Sequence, residues 1–107
     1  MNYHDQKACI EACLNCMAFC NHCASACLKE ENPSEMVQCI QLDMECAAAC
    51  VAAAQLMSLG SERAREWCNL CADLCEQCAE ACEKHEQEHC IACARACRAC
   101  AAACRNM

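Results

Sequence analysis

Residues 9–27 read CIEACLNCMAFCNHCASAC, which places cysteine at positions 9, 13, 16, 20, 23 and 27. The steps alternate between four and three, the spacing that keeps side chains on one stripe of an α-helix. The same rhythm returns at Cys68, Cys71, Cys75, Cys78 and Cys82, and again at Cys90, Cys93, Cys97, Cys100 and Cys104. In a coiled coil such positions hold Leu and Ile; here they hold sulfur. A sparser segment carries Cys39, Cys46 and Cys50. Its stripe, filled in at the same steps, passes through Asp43 and runs on to Ala53 and Met57.

The composition fits this reading. Of 107 residues, 19 are cysteine, about 18% against the ~8–10% that marks a cysteine scaffold. Another 22 are alanine, and only 21 are larger apolar side chains. The hydrocarbon core is therefore thin, and thiols must form much of the interior. Abundant alanine with one glycine and one proline favours helix throughout. Asn32-Pro33-Ser34-Glu35 reads as an N-cap, a proline at the first helical position and a glutamate three residues after the cap. Leu59-Gly60-Ser61 reads as a glycine C-cap followed by a serine N-cap. Residues 83–89, EKHEQEH, contain no breaker, and a stutter in one long helix would also accommodate them. A turn is expected instead, because seven polar residues interrupt the stripe.

The expected fold is one all-α domain over residues 1–107, an up-down-up-down four-helix bundle with a cysteine-lined core. That connectivity gathers Cys27, Cys39, Asp43, Cys82, His85, His89 and Cys90 at one end. It gathers His4, Cys9, Met57, Trp67, Cys68 and Cys104 at the other.

Several classes are excluded on the same grounds. A secreted disulfide scaffold is loop-rich, and the start Met1-Asn2-Tyr3-His4-Asp5-Gln6 shows neither a basic nor an apolar leader region, so a reducing cytoplasm is expected. No run of ~18 apolar residues suggests a membrane span. A net charge of −7 argues against nucleic acid, which needs a basic footprint.

Eight pairs of cysteines lie four apart, and Cβ atoms at that spacing are about 5–6 Å apart, so two sulfurs can converge on one small ion. Soft Cu(I) favours such thiolates, and the stripes read as a column of two-sulfur Cu(I) sites able to bridge to adjacent helices. All 19 cysteines are candidate ligands. Zinc prefers four ligands in a tetrahedron, commonly presented on short knuckles; bundle-spanning zinc sites remain an alternative that the spacing does not select. Iron–sulfur runs need tighter steps and a following proline, and thiol redox catalysis needs one accessible activated cysteine. Asp43, on the thiol stripe, reads either as a ligand or as a polar partner near the mouth. His85 and His89 read either as ligands at the mouth or as solvated residues of the connection. Met57 could serve as a thioether ligand or as core filler. His4 and His22 are expected at the surface, and Phe19 and Trp67 in packing.

The segment with fewest cysteines has a second apolar stripe of Val37, Ile40, Met44, Ala47, Val51 and Ala54. A helix apolar on two faces is buried on both, so a homo-oligomer is expected through this face. The repeated Cys-x-x-x-Cys and Cys-x-x-Cys stripes, from Cys9 to Cys104, resemble the bacterial copper storage proteins, and the start resembles their cytosolic branch. The resemblance implies a homotetramer of four-helix bundles whose thiol cores each hold many Cu(I) ions. It also implies uptake at an open end carrying histidine, which His85 and His89 match, with copper donor or acceptor proteins as partners and no catalytic residue.

Overall fold

The computed structural model describes residues 3–107, so Met1 and Asn2 of the opening stretch lie outside the described residues. Four helices follow in order: α1 (Tyr3–Leu28), α2 (Val37–Ser58), α3 (Ala64–Cys82) and α4 (Glu88–Arg105), with a 3-10 turn at Pro33–Met36 leading into α2. No strand occurs among the described residues. Each helix packs its backbone on two neighbours, α1 on α2 and α4, α3 on α2 and α4, and the diagonal pairs meet through core side chains, Cys16 with Cys75 at 4.0 Å and Cys50 with Cys100 at 3.9 Å. The result is a square, antiparallel bundle 45 × 17 × 17 Å, as the stripes predict.

The connections follow their chemistry to different degrees. Gly60 takes φ 68°, a conformation that costs glycine little. Its N–H donates to Met57 O and that of Ser61 to Leu56 O, both at 3.0 Å, which closes α2 with a Schellman motif. Ser61 does not cap α3: its Oγ accepts the Arg63 N–H at 3.1 Å, one residue before the helix begins. Asn32 does not cap with its side chain either. The chain enters a 3-10 turn there, so the Asn32 carbonyl takes the Glu35 N–H at 3.0 Å, the donor a capping side chain would need. Between α3 and α4 there is a turn, as expected without a breaker. His85 N–H donates to Cys82 O at 3.1 Å, and Gln87 is extended (φ −62°, ψ 141°) before α4 begins.

The interior is sulfur and methyl. All 19 cysteines are buried free thiols, none more than 6% exposed, and alanine fills the remaining helix contacts. Two polar side chains, Gln6 and Asp43, are buried among the described residues. Met57 is fully buried in this core, Trp67 donates its indole N–H to Ala49 O at 3.3 Å, and Phe19, like His4 and His22, is exposed. The second stripe of α2 divides: Ala47 and Ala54 are buried within the chain, Ile40 is half-buried, and Val37, Met44 and Val51 point outward. Pro33–Ser58 also meets the length and mean hydropathy of a membrane span, 1.3 over its best window, although its longest unbroken apolar run, residues 46–54, is far shorter than the ~18 residues of a span. The cause lies in its double duty, since the Cys39/Cys46/Cys50 face supplies the core while a second apolar face remains outside.

Candidate metal centre

The stripes bring sulfurs of different helices as close as sulfurs of one helix. Within helices, Cys16–Cys20 stand 3.9 Å apart, Cys23–Cys27 3.8 Å, Cys71–Cys75 4.0 Å and Cys93–Cys97 4.0 Å. Between helices, Cys39–Cys82 are 3.2 Å apart, Cys46–Cys75 3.4 Å, Cys13–Cys100 3.6 Å, Cys50–Cys71 3.7 Å and Cys9–Cys104 3.7 Å. Isolated two-sulfur pairs are thus too narrow a description. The thiols pool into groups drawn from three helices at a time, in which all four sulfurs lie within 4.8 Å of one another. Cys13, Cys71, Cys100 and Cys104 form one near the far end; Cys23, Cys27, Cys39 and Cys90 form one at the turn-bearing end. Between them, Cys16 joins Cys46, Cys50 and Cys75, and again joins Cys20, Cys46 and Cys97, while Cys20 and Cys97 also join Cys78 and Cys93. Three thiolates around an ion at roughly 2.3 Å stand about 4.0 Å apart, and four stand about 3.8 Å apart. The observed separations sit at these values before any ion is bound.

Burial favours the protonated thiol at Cys27 and Cys90, at the turn-bearing end. Cys90 is pushed up to about 11, first by loss of water and then by the charge of Cys39, and burial raises Cys27 in the same way. An ion bound by these two sulfurs therefore displaces their protons.

Asp43 lies one helical turn inward from Cys39 and is fully buried. Its Oδ1 accepts from Cys78 at 3.1 Å, Cys93 at 3.2 Å and Cys82 at 3.6 Å. Its Oδ2 lies 3.8 Å from Cys39 Sγ. Burial, then the neighbouring Cys93 sulfur, raises the carboxyl to about 8.

The two histidines of the connection part company. His89 turns inward, with Nδ1 3.4 Å from Cys23 Sγ, 3.6 Å from Cys90 Sγ and 3.9 Å from Cys27 Sγ. Its Nε2 meets Glu30 Oε2 at 3.0 Å. A carboxylate accepts only, so the neutral ring carries its proton on Nε2 and offers the Nδ1 lone pair to the thiols. His89 also walls an outer cavity of about 650 Å³ lined by Phe19, His22, Ile91 and Arg95, and so stands between solvent and the terminal thiol group. His85 lines a separate groove with Glu83, Ile91, Ala94, Arg95 and Arg98.

Two residues that complete this picture were missed from sequence. Glu30 sits in the polar run Lys29-Glu30-Glu31, where nothing marks it. Gln6 could have been found, because it continues the first stripe one step before Cys9. It is 2% exposed, and its Oε1 has no hydrogen-bond partner.

Comparison with known proteins agrees with this geometry. The chain matches the copper storage protein family over residues 2–107. A cysteine-rich protein of Bacillus subtilis (strain 168), YhjQ, is 50% identical over 84 residues, 78% of each chain. The Cu(I)-bound copper storage protein BsCsp3 superposes with a TM-score of 0.91 at 50% identity, over 94% of this chain and 95% of that one. A cytosolic copper storage protein from Streptomyces lividans, solved with five coppers, gives a TM-score of 0.91 at 38% identity, over 94% and 89%. With its sulfur-lined four-helix bundle and a family match along almost its whole length, this chain belongs to the copper storage protein family.

Proposed function

We propose that this protein stores Cu(I), holding many ions per chain in its thiol column and releasing them to copper-requiring proteins. The observation that carries this reading is the pooling of sulfurs from three helices into groups within 4.8 Å. A soft ion can bind there with two, three or four thiolates and little rearrangement. All 19 cysteines are assigned as ligands, with Asp43 and the histidines of the connection as polar accessories at one end. His89 Nδ1, the lone pair aimed at Cys23 and Cys90, is the first ligand an arriving ion meets; His85 acts farther out, in the neighbouring groove. Met57 serves as core filler.

The role is sequestration rather than catalysis: burial of every thiol withholds a redox-active ion from solvent. The cytosolic Streptomyces relative supports the same compartment here, where thiols stay reduced. The outward Val37, Met44 and Val51 of α2 support self-association, as a tetramer by family resemblance.

The decisive experiment is an anaerobic Cu(I) titration of reduced protein against a competing chelator. Uptake near one ion per cysteine is expected. Saturation below about a quarter of the cysteine count would mean tetrahedral zinc-type sites instead and would sink the storage reading.

A further inference from the structure

The end of the bundle away from His89 has features that holding ions does not use. Cys9 lies there and is 6% exposed, whereas no cysteine at the His89 end exceeds 1%. Gln6 stands one step outward of Cys9 on the same stripe, buried, with its Oε1 unpartnered. A buried amide oxygen without a donor is costly, and nothing polar holds this one in place. Gln6 also lines a cavity of about 180 Å³, completed by Ser61, Glu62, Ala64 and Arg65 from the reversal into α3. Neither Glu62 nor Arg65 forms an ion pair among the described residues.

We infer that this end is a second port, through which a small amino-acid thiol withdraws Cu(I) from Cys9 and Cys104. The inference rests on the storage reading. The lining is complementary to a zwitterion: Arg65 takes the carboxylate, Glu62 the ammonium, and Gln6 Oε1 a further N–H. The volume equals roughly six waters at ~30 Å³ each, room for a free amino acid and not for a thiol peptide. Because Gln6 Oε1 is buried where it rests, a ligand donor satisfies it only once the side chain swings into the cavity. Binding therefore favours the state in which Cys9 is uncovered. The incoming sulfur bonds to the ion shared by Cys9 and Cys104, whose sulfurs stand 3.7 Å apart. The Cu–S bond to Cys9 breaks, and the proton of the incoming thiol passes to the Cys9 sulfur. A second thiol displaces Cys104 in the same way, and copper remains Cu(I) throughout. Cys104 also belongs to the group of Cys13, Cys71 and Cys100, so the next ion reaches the port through it.

The test uses copper-loaded, full-length protein under anaerobic conditions, with a bulky chromogenic Cu(I) chelator as the sink. Release is started with L-cysteine or, at equal thiolate concentration, with mercaptoethanol, which carries neither charge. L-cysteine is expected to act at least roughly 10-fold faster, the effect of one charge-assisted contact. Arg65→Ala and Gln6→Leu should each remove most of that ratio. Equal rates with the two thiols in wild type, or an unchanged ratio in either variant, would overturn the port. A second measurement needs no copper: reduced apo protein is alkylated briefly with iodoacetamide and mapped by peptide mass spectrometry. Cys9 should be modified ahead of Cys23, Cys27 and Cys90, and the reverse order would also overturn the port. Circular dichroism checks folding, and Arg65→Ala, at the surface, carries the test if Gln6→Leu does not fold. Release is scored only on protein that has taken up copper, so failure of the port leaves storage standing. A chain that takes up none fails the storage reading, and alkylation still tests the port.

Discussion

The imidazole of His89 joins Glu30 at 3.0 Å through Nε2, while its other nitrogen faces a group of buried sulfurs. The pair spans the connection after α1 and the first turn of α4. It fixes the ring's tautomer at a point where a nitrogen lone pair meets the thiol column.

Replacing either partner should therefore change rate rather than capacity. His89→Ala is expected to slow Cu(I) loading by roughly 10-fold, and Glu30→Gln by less, because it frees the ring without removing it. Stopped-flow loading followed by a full titration separates the two quantities. A loss of bound copper at equilibrium would show His89 to be a storage ligand instead of a gatekeeper.

Asp43 sets a pH dependence of the apo fold. Its carboxyl is raised from 3.8 to about 8 in the folded chain, so the neutral form is favoured on folding. The stabilisation is fully present below about pH 4 and is lost as pH rises through 8. Four pH units correspond to at most about 5 kcal/mol. The melting temperature of apo protein should fall across this window. In Asp43→Asn the fall should be flattened, leaving an alkaline loss from thiols such as Cys90, raised to about 11. Parallel melting curves for wild type and variant would refute this.

Cysteines that belong to two groups should matter more than those at the ends. Cys46 lies 3.4 Å from Cys75 and 3.8 Å from Cys16, and it serves two groups. Cys46→Ser is expected to remove more than one Cu(I) per chain, and Cys68→Ser at most one. Native mass spectrometry of loaded protein counts the difference, and equal losses would contradict a shared-ligand arrangement.

Met57 provides a test of filler against ligand. Met57→Leu conserves volume and should cost less than about 1.5 kcal/mol. Met57→Ala should cost about 2–5 kcal/mol through the cavity left behind. Neither should change copper stoichiometry. A missing ion in the leucine variant would make the thioether a ligand.

On the proposed self-association through α2, Met44→Glu, on its exposed face, should leave a monomer without changing helix content. Light scattering reads the mass, and an unchanged mass would move the contact elsewhere.

Much of this molecule is legible because the period of an α-helix is written in a residue type that seldom repeats. Cys9 to Cys27 alone specifies a helix, its inward face and the nature of the core. Gly60 marks a chain reversal because only that position needs positive φ. What escapes is set by relations between helices. The closeness of Cys39 to Cys82, or of Cys46 to Cys75, depends on helix rotation and stagger, and neither is encoded in spacing along one segment. The same limit hid Glu30, whose role exists only because α4 brings His89 to it. It also separated His85 from His89, four residues away yet turned to a different groove. Asn32 misled for a local reason, since a 3-10 turn consumed the donor its side chain would have capped.

The overlap of the sulfur groups has a consequence for traffic. Because Cys16, Cys20, Cys46 and Cys97 each belong to more than one group, neighbouring sites are rungs of a single ladder rather than separate lockers. Through the middle of the column an ion can advance by exchanging one thiolate at a time, never fully uncoordinated, from the group of Cys78 and Cys93 to that of Cys50 and Cys75. Depth then carries no penalty in ligand loss along these rungs.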